Sequence, residues 1–264
     1  MTAIAAADFL AFALLAASVG LIVGLTGVGG GSLMTPLLIA GFGVPAPVAV
    51  GTDLACAAVT KTAATLARRA TRTLSLRVAA LLAAGSVPAA ILALAWLASV
   101  ALAPQDLARV IRQAIGIALI ASIAALALRT RIRRWSAGSS LIERLRPHRP
   151  AATVLVGGLI GAAVALTSLG AGAIGAACLA LLYPELEPAE IAGSDIAHAV
   201  PLTAIAAIGH VWLGTVDAGL LWALLCGGVP GIVAGSLITH RIPPALLRVL
   251  LIAVLGIAAG KLLL

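Results

Sequence analysis

Four ionisable side chains lie within stretches of sequence that are otherwise apolar: Asp53, Lys61, Asp195 and His198. An ionisable group near the centre of a membrane-spanning helix costs at least about 2.5 kcal/mol, so such residues usually have a function. The two carboxylates could carry protons, bind cations, or cap a broken helix by accepting its backbone N–H groups. His198 could donate to an anion or carry a proton, since histidine titrates near neutral pH. Lys61 could balance the charge of an anion, or extend its amine toward the inner membrane face.

The spacing of these residues places them on shared helix faces. At 1.5 Å per residue, Asp53 and Asp195 each lie roughly 10 Å into the apolar segment that holds it. The third residue after an aspartate lies on the same helix face, which puts Cys56 beside Asp53 and His198 beside Asp195. We interpret the three cysteines as buried structural thiols, because they share no spacing that indicates a disulfide or a metal site.

Two runs of small residues interrupt the apolar sequence, GLTGVGGGS at 24–32 and ALTSLGAGA at 165–173. Glycine lowers helix stability by about 1 kcal/mol relative to alanine, so we predict a broken helix at each run. A break at membrane depth survives where it lines a cavity, and its free N–H groups favour an anion. The residues predicted to bind a small anionic substrate are Thr26, Gly29, Gly30, Gly31, Ser32, Lys61, Thr167, Ser168, Gly170, Gly172 and His198.

Other glycines recur at intervals of four residues and favour a different role. Gly157 with Gly161, and Gly227 with Gly231 and Gly235, follow the spacing that lets two membrane helices approach closely. We predict helix packing for these two sets. Packing is also the alternative interpretation of the two glycine-rich runs.

The composition excludes most soluble functions. Of the 264 residues, 62% are hydrophobic and 10% are charged, and the mean hydropathy is +1.18. Apolar stretches of about 20 residues, the length that crosses a bilayer, follow one another along the chain. The net charge of +8 comes from short basic stretches between these segments, which is typical of cytoplasmic loops rather than of a nucleic-acid-binding face. No nucleotide-binding loop, zinc-ligand cluster or nucleophile constellation appears, so we expect neither an enzyme nor a cofactor.

The two halves of the chain resemble each other. Gly51 and Asp53 recur as Gly193 and Asp195 about 140 residues later, and the two glycine-rich runs align at nearly the same interval. We predict a first membrane repeat at 1–128, an Arg-rich cytoplasmic linker at 129–150 and a second repeat at 151–264. Each repeat is a glycine-broken helical hairpin followed by three transmembrane helices, within an all-α polytopic membrane protein.

Charge predicts the orientation of the repeats. Most of the 17 Lys and Arg residues lie on one side of the membrane if each half crosses three times, and that side is then cytoplasmic. Three crossings are an odd number, so the second repeat is inverted relative to the first, and the N-terminus lies outside. Inverted repeats are typical of secondary transporters. The small-residue helix faces are compatible with a homodimer.

The sequence resembles the sulfite exporter TauE/SafE family of membrane permeases. GLTGVGGGSLMTPLL and VGTDLACAAVTK carry the resemblance in the first half, and GSDIAHAVPLTAIAAIGHVWLGTVD and GGVPGIVAGS carry it in the second. The resemblance implies transport of a small sulfur-containing anion, such as sulfite or an organosulfonate like sulfoacetate, across the cytoplasmic membrane. It also implies coupling to an ion or proton gradient.

Two other functions remain open from the residues alone. An anion channel would use the same helix breaks without a coupling ion. A cation or metal transporter would instead use Asp53 and Asp195 as ligands.

Overall fold

The computed structural model describes residues 6–26, 31–70, 74–100, 103–137, 146–238 and 244–263, which form α-helices and connecting turns, without a strand. The first half contains α1 (Ala6–Thr26), α2 (Gly31–Phe42), α3 (Ala46–Ala70), α4 (Leu76–Ser99) and α5 (Pro104–Ala137). The second half contains α6 (Arg149–Thr167), α7 (Ala173–Leu182), α8 (Pro188–Trp212), α9 (Ala218–Ile238) and α10 (Pro244–Leu263), and a 3-10 turn at Arg146–His148 precedes α6.

The helices have the length and composition of membrane spans. Among the described residues, six helices are long and apolar enough to cross a bilayer, namely α1, α4, α5, α6, α8 and α9. The prediction of an all-α polytopic membrane protein is therefore confirmed. The helices α1 and α6, which we expected as hairpin legs, are each about 30 Å long at 1.5 Å per residue, the length of a full span. The helix α5 continues to Ala137, so the predicted linker at 129–150 begins as helix.

The helices of each half pack mainly against helices of the other half. The helix α1 packs most extensively on α9, and its counterpart α6 packs in the same way on α4. The central pair is α3 with α8, and each short helix contacts the last helix of the other half, α2 with α10 and α7 with α5. The core of the protein therefore lies between the halves, and neither half buries its apolar surface alone.

Glycines bring the paired helices into backbone contact. A Cβ at Gly227 would overlap the carbonyl oxygen of Ala13, and one at Gly231 would overlap that of Ala17, so α1 and α9 advance in the same direction. Likewise Gly157 lies against the Leu82 carbonyl oxygen of α4. The packing role predicted for both glycine sets is confirmed. Parallel α1 and α9 are what two halves of opposite orientation require, although the inversion itself stays a prediction.

At equivalent positions of the two halves, different kinds of contact join the short helix to the helix before it: an aromatic contact in the first half and a hydrogen bond in the second. In the first half, the rings of Phe12 and Phe42 lie 5.0 Å apart between their centroids, joining α1 to the end of α2. In the second half, Thr153 and Tyr183 share a hydrogen bond of 2.8 Å at the corresponding place. Arg149 lies over the Tyr183 ring and donates to Glu185 at 2.6 Å. Each short helix is thus joined at its C-terminal end to the longer helix that precedes it.

Substituting Gly157 tests the close approach of α6 to α4. Gly157→Ala places a methyl group on the Leu82 carbonyl oxygen, and overpacking of this kind costs about 1–3 kcal/mol. We expect a lower thermal unfolding midpoint in detergent. The adjacent Gly158→Ala is the matched control, because the nearest atom to its Cβ would be the Gly85 carbonyl oxygen at 3.8 Å. Equal midpoints for the two variants would contradict the backbone contact.

Candidate functional site

The repeated triplets Gly51-Thr52-Asp53 and Gly193-Ser194-Asp195 place the two carboxylates in the protein core. The Thr52 hydroxyl accepts the backbone N–H of Asp217 at 3.1 Å, and the Ser194 hydroxyl accepts that of Ser75 at 2.8 Å. Asp217 and Ser75 precede α9 and α4 respectively, so each bond ties a helix of one half to the start of a helix in the other. The next residue in each triplet, the aspartate, is 3% exposed.

Asp53 connects the two halves through a single oxygen atom. Its Oδ2 accepts the hydroxyl of Thr35, in α2, at 2.7 Å and the hydroxyl of Ser168, at the end of α6, at 2.9 Å. A buried carboxylate is costly unless donors satisfy it, and hydrogen bonds to charged groups contribute about 1.5–3 kcal/mol each. The side chain of Asp53 therefore holds the short helix of the first half against the helix break of the second.

Asp195 lies in a different environment at the equivalent position. Its Oδ1 lies so close to Gly175, in the first turn of α7, that a Cβ there would overlap it. The same oxygen is 3.6 Å from Nδ1 of His198, one helical turn further along α8. The predicted pairing of His198 with Asp195 on one helix face is confirmed. Ala176 and Ala177 occupy the region of α7 that corresponds to Thr35 in α2.

His198 and Lys61 bring further polar atoms to the region of the two aspartates. His198 is 1% exposed, and neither ring nitrogen has a hydrogen-bond partner among the described residues. Lys61 is 5% exposed and lies within Coulombic range of Asp195, Asp53 and His198. Its amine is thus buried within electrostatic range of two carboxylates. In the described part of the chain, no hydrogen bond holds this ammonium group.

The second helix break lies between the two carboxylates. Ser168 (φ 59°), Gly170 (φ 118°) and Gly172 (φ 135°) adopt left-handed backbone conformations that end α6 and restart the chain at α7. Ser168 contacts Asp53, whereas Gly175 contacts Asp195. The N–H groups of residues 171–173 donate to no described residue, so the start of α7 offers free donors. The predicted break at 165–173 is confirmed.

Of the remaining predicted site residues, the structure describes Thr167 and Gly31 but not the other four. Thr167 is bonded within its own hairpin, donating to the Ala163 carbonyl oxygen at 2.6 Å and accepting the Leu169 N–H at 3.0 Å. Gly31 begins α2. Four others lie outside what the structure describes, as whole residues or as side chains: Thr26, Gly29, Gly30 and Ser32.

A small cavity lies beside Asp53 on the side of α1 and α9. Its volume is about 30 Å³, enough for a water molecule, and its lining includes Asp53, Cys56, Thr60 and Met34. The cavity reaches Asp53 between α1, α3 and α9. It therefore provides space for water next to the carboxylate that joins the halves.

His210 is fully buried near the end of α8, whereas the neighbouring Trp212 is 89% exposed. Nε2 of His210 lies 2.8 Å from the Ala165 carbonyl oxygen, and Nδ1 lies 2.8 Å from the Thr215 hydroxyl. The end of α6 therefore covers the ring.

Sequence reasoning missed three contributors to the site. The hydroxyls of Thr52 and Ser194 accept backbone N–H groups at the starts of α9 and α4. Gly175 has no side chain, which leaves room for the carboxylate of Asp195. The repeat held a signal for the first two, because a hydroxyl residue precedes the aspartate in both halves. No sequence signal separated Gly175 from other glycines in small-residue helices.

Comparison with known proteins places this architecture in a family. A family model described as "Sulfite exporter TauE/SafE" matches residues 12–262. A similar protein is the "Probable membrane transporter protein YjnA" of Bacillus subtilis (strain 168), 34% identical over 253 residues, which cover 92% of this chain and 95% of that protein. No solved structure matches. With a match over nearly its full length and a core of membrane-spanning helices, the chain belongs to the sulfite exporter TauE/SafE family and is a membrane transporter.

Proposed function

We propose that the protein moves a small sulfur-containing anion, such as sulfite or an organosulfonate, across the cytoplasmic membrane by alternating access. The observation that supports this most strongly is the burial of Lys61 in the region of the two aspartates. The Nε2 atom of His198 and the N–H groups at the start of α7 offer further donors in the same region. An oxyanion takes several hydrogen bonds at once, and these groups are donors of the required kind.

The charge of Lys61 argues against the cation alternative. A cation bound between Asp53 and Asp195 would lie within range of the ammonium, and like charges repel strongly in a low-dielectric interior. In addition, Oδ2 of Asp53 already accepts hydrogen bonds from two hydroxyl groups, which disfavours its use as a cation ligand. An anion, in contrast, would be attracted by the ammonium and would not need Asp53 as a ligand.

The contacts between the halves support rocking rather than an open channel. Both the Asp53 link and the packing of α3 on α8 join one half to the other across the site. In inverted-repeat transporters, movement of one half against the other alternates access to a site at this interface. We propose that the Asp53 link belongs to one of the two access states and breaks in the other.

The proposed orientation has the N-terminus outside and the Arg-rich loops in the cytoplasm. In a background with Cys56, Cys178 and Cys226 changed to alanine, we expect Ala103→Cys to react with a membrane-impermeant maleimide in intact cells. Pro147→Cys should react only after permeabilisation. Both positions are exposed and lie outside the α-helices, and they fall on opposite sides in the proposed topology. The reverse pattern of labelling would overturn the orientation.

Ligand-induced stabilisation tests the substrate class. The purified protein is heated with sulfite, small sulfonates, sulfate, carboxylates and simple cations, and the unfolding midpoint is recorded. A ligand at 100 times its dissociation constant adds about 2.7 kcal/mol to the free energy of unfolding. We expect sulfite or sulfonates to raise the midpoint. Stabilisation by cations alone would refute the anion site and favour the two aspartates as cation ligands.

Lys61→Met tests whether the buried ammonium binds the anion. A hydrogen bond to a charged group contributes about 1.5–3 kcal/mol, so we expect affinity to fall about 10- to 100-fold in binding titrations. Lys61→Arg keeps the charge and should retain part of the affinity. Thr203→Val, at the equivalent position of the second repeat, is the control, because its hydroxyl bonds only backbone of its own helix. Unchanged affinity in Lys61→Met would remove this residue from the binding site.

A further inference from the structure

We propose that His210 is a positioning residue, which fixes the second helix break without touching the substrate. In this role it determines where the Ser168 hydroxyl and the free N–H groups of residues 171–173 lie. The inference rests on the proposed anion site, because affinity for the anion is one property that His210 would set. It follows from the contacts of a buried imidazole that the proposed function does not use.

The end of α6 leaves the Ala165 carbonyl oxygen without its usual partner. In a continuous helix this oxygen would accept the N–H of Leu169, four residues later. The Leu169 N–H instead donates to the Thr167 hydroxyl at 3.0 Å, next to the left-handed backbone of Ser168 (φ 59°). Ala165 is fully buried, and a buried carbonyl oxygen without a donor is costly. A donor from elsewhere in the protein therefore stabilises the break.

His210 supplies this donor from α8. Its Nε2 lies 2.8 Å from the Ala165 carbonyl oxygen, and a carbonyl oxygen only accepts hydrogen bonds, so Nε2 carries the proton and donates it. On the other side of the ring, Nδ1 shares a hydrogen bond of 2.8 Å with the Thr215 hydroxyl. Both nitrogens are thus engaged within the protein, unlike those of His198 among the described residues. His210 can therefore affect a substrate only through the break.

The position of the ring depends on α3. Thr215, in the turn after α8, donates its backbone N–H to the His210 carbonyl oxygen at 3.0 Å. Gly51 of α3 lies against this turn, since a Cβ there would be 2.6 Å from the Thr215 carbonyl oxygen and 3.1 Å from the His210 Cβ. Asp53 follows two residues later in the same helix. One short stretch of α3 thus contacts the His210 turn and carries the carboxylate that Ser168 reaches.

The break is therefore held at two points three residues apart. His210 holds Ala165, and Ser168 donates to Asp53 at 2.9 Å. The N–H groups of residues 171–173 follow directly. A chain fixed at Ala165 has little freedom over the next few residues, so the His210 bond limits where these donors point. Donors that are fixed before binding lose less entropy when an anion arrives, which raises affinity.

Substitution of His210 with glutamine and with methionine separates the N–H donor from the volume of the side chain. The two replacements have similar length, and only glutamine keeps an N–H group that can reach Ala165. Isothermal titration of the purified protein with sulfite and with methanesulfonate gives the affinities. We expect affinity about tenfold weaker in His210→Met and within about threefold of the wild type in His210→Gln. An equal loss in both variants, or no loss in either, would overturn the proposal.

A double-substitution cycle with Ser168→Ala gives a readout that needs no anion. If His210 positions Ser168, this hydroxyl is already displaced in His210→Met. Ser168→Ala should then lower the thermal unfolding midpoint less than half as far in that background as in the wild type. Thr153→Val is the matched control, because Thr153 lies at the other end of α6 and bonds to Tyr183, so its shift should be the same in both backgrounds. Additive shifts for Ser168→Ala would contradict the positioning role.

Thr215→Val is the milder variant if His210→Met does not fold. It keeps the imidazole but removes the hydroxyl at Nδ1, so we expect affinity about threefold weaker and the same reduced effect of Ser168→Ala. Unchanged affinity with additive midpoints in this variant would sink the inference. If neither sulfite nor methanesulfonate binds to the wild-type protein, the proposed function fails, and the cycle alone decides whether His210 positions Ser168.

Discussion

The burial of charge between two halves of a membrane protein is the constraint on which the rest of the structure depends. A carboxylate inside a bilayer must find donors within the protein, because no lipid group can supply them. Asp53 obtains its donors from α2 of the first half and from the break after α6 of the second. The site therefore exists only when the halves are assembled, and any movement between them changes the solvation of a buried charge.

The glycine pattern makes this assembly stable without a hydrophobic driving force between helices. Membrane helices associate through close packing and hydrogen bonds, since lipid is as apolar as the side chains. The pairs α1 with α9 and α4 with α6 bring glycine Cα atoms against carbonyl oxygens of the partner helix. These two pairs flank the central pair of α3 and α8, which carries the ionisable residues. The outer pairs thus form a scaffold around a polar centre.

The near-symmetry of the halves makes their differences informative. Cys56 and His198 occupy the same place in the two repeats, as do Lys61 and Thr203. The same fold therefore places different polar groups at matching positions. Asp53 accepts two hydroxyl hydrogen bonds, whereas Asp195 lies 3.6 Å from the imidazole of His198.

The sequence by itself determined the membrane class, the helix break at 165–173 and the pairing of His198 with Asp195, because hydropathy, glycine content and helical spacing are local properties. The break predicted at 24–32 falls on residues outside those that the structure describes, and the repeat stays a prediction. It also marked Asp53, Lys61 and Asp195 as unusual. Only the tertiary structure decided that Ser168 reaches Asp53 from 115 residues away, that Gly175 admits Asp195, and that α6 covers His210. These contacts depend on which helix packs against which. Many pairings of equally apolar helices satisfy the same local pattern, and close packing between distant segments selects one of them.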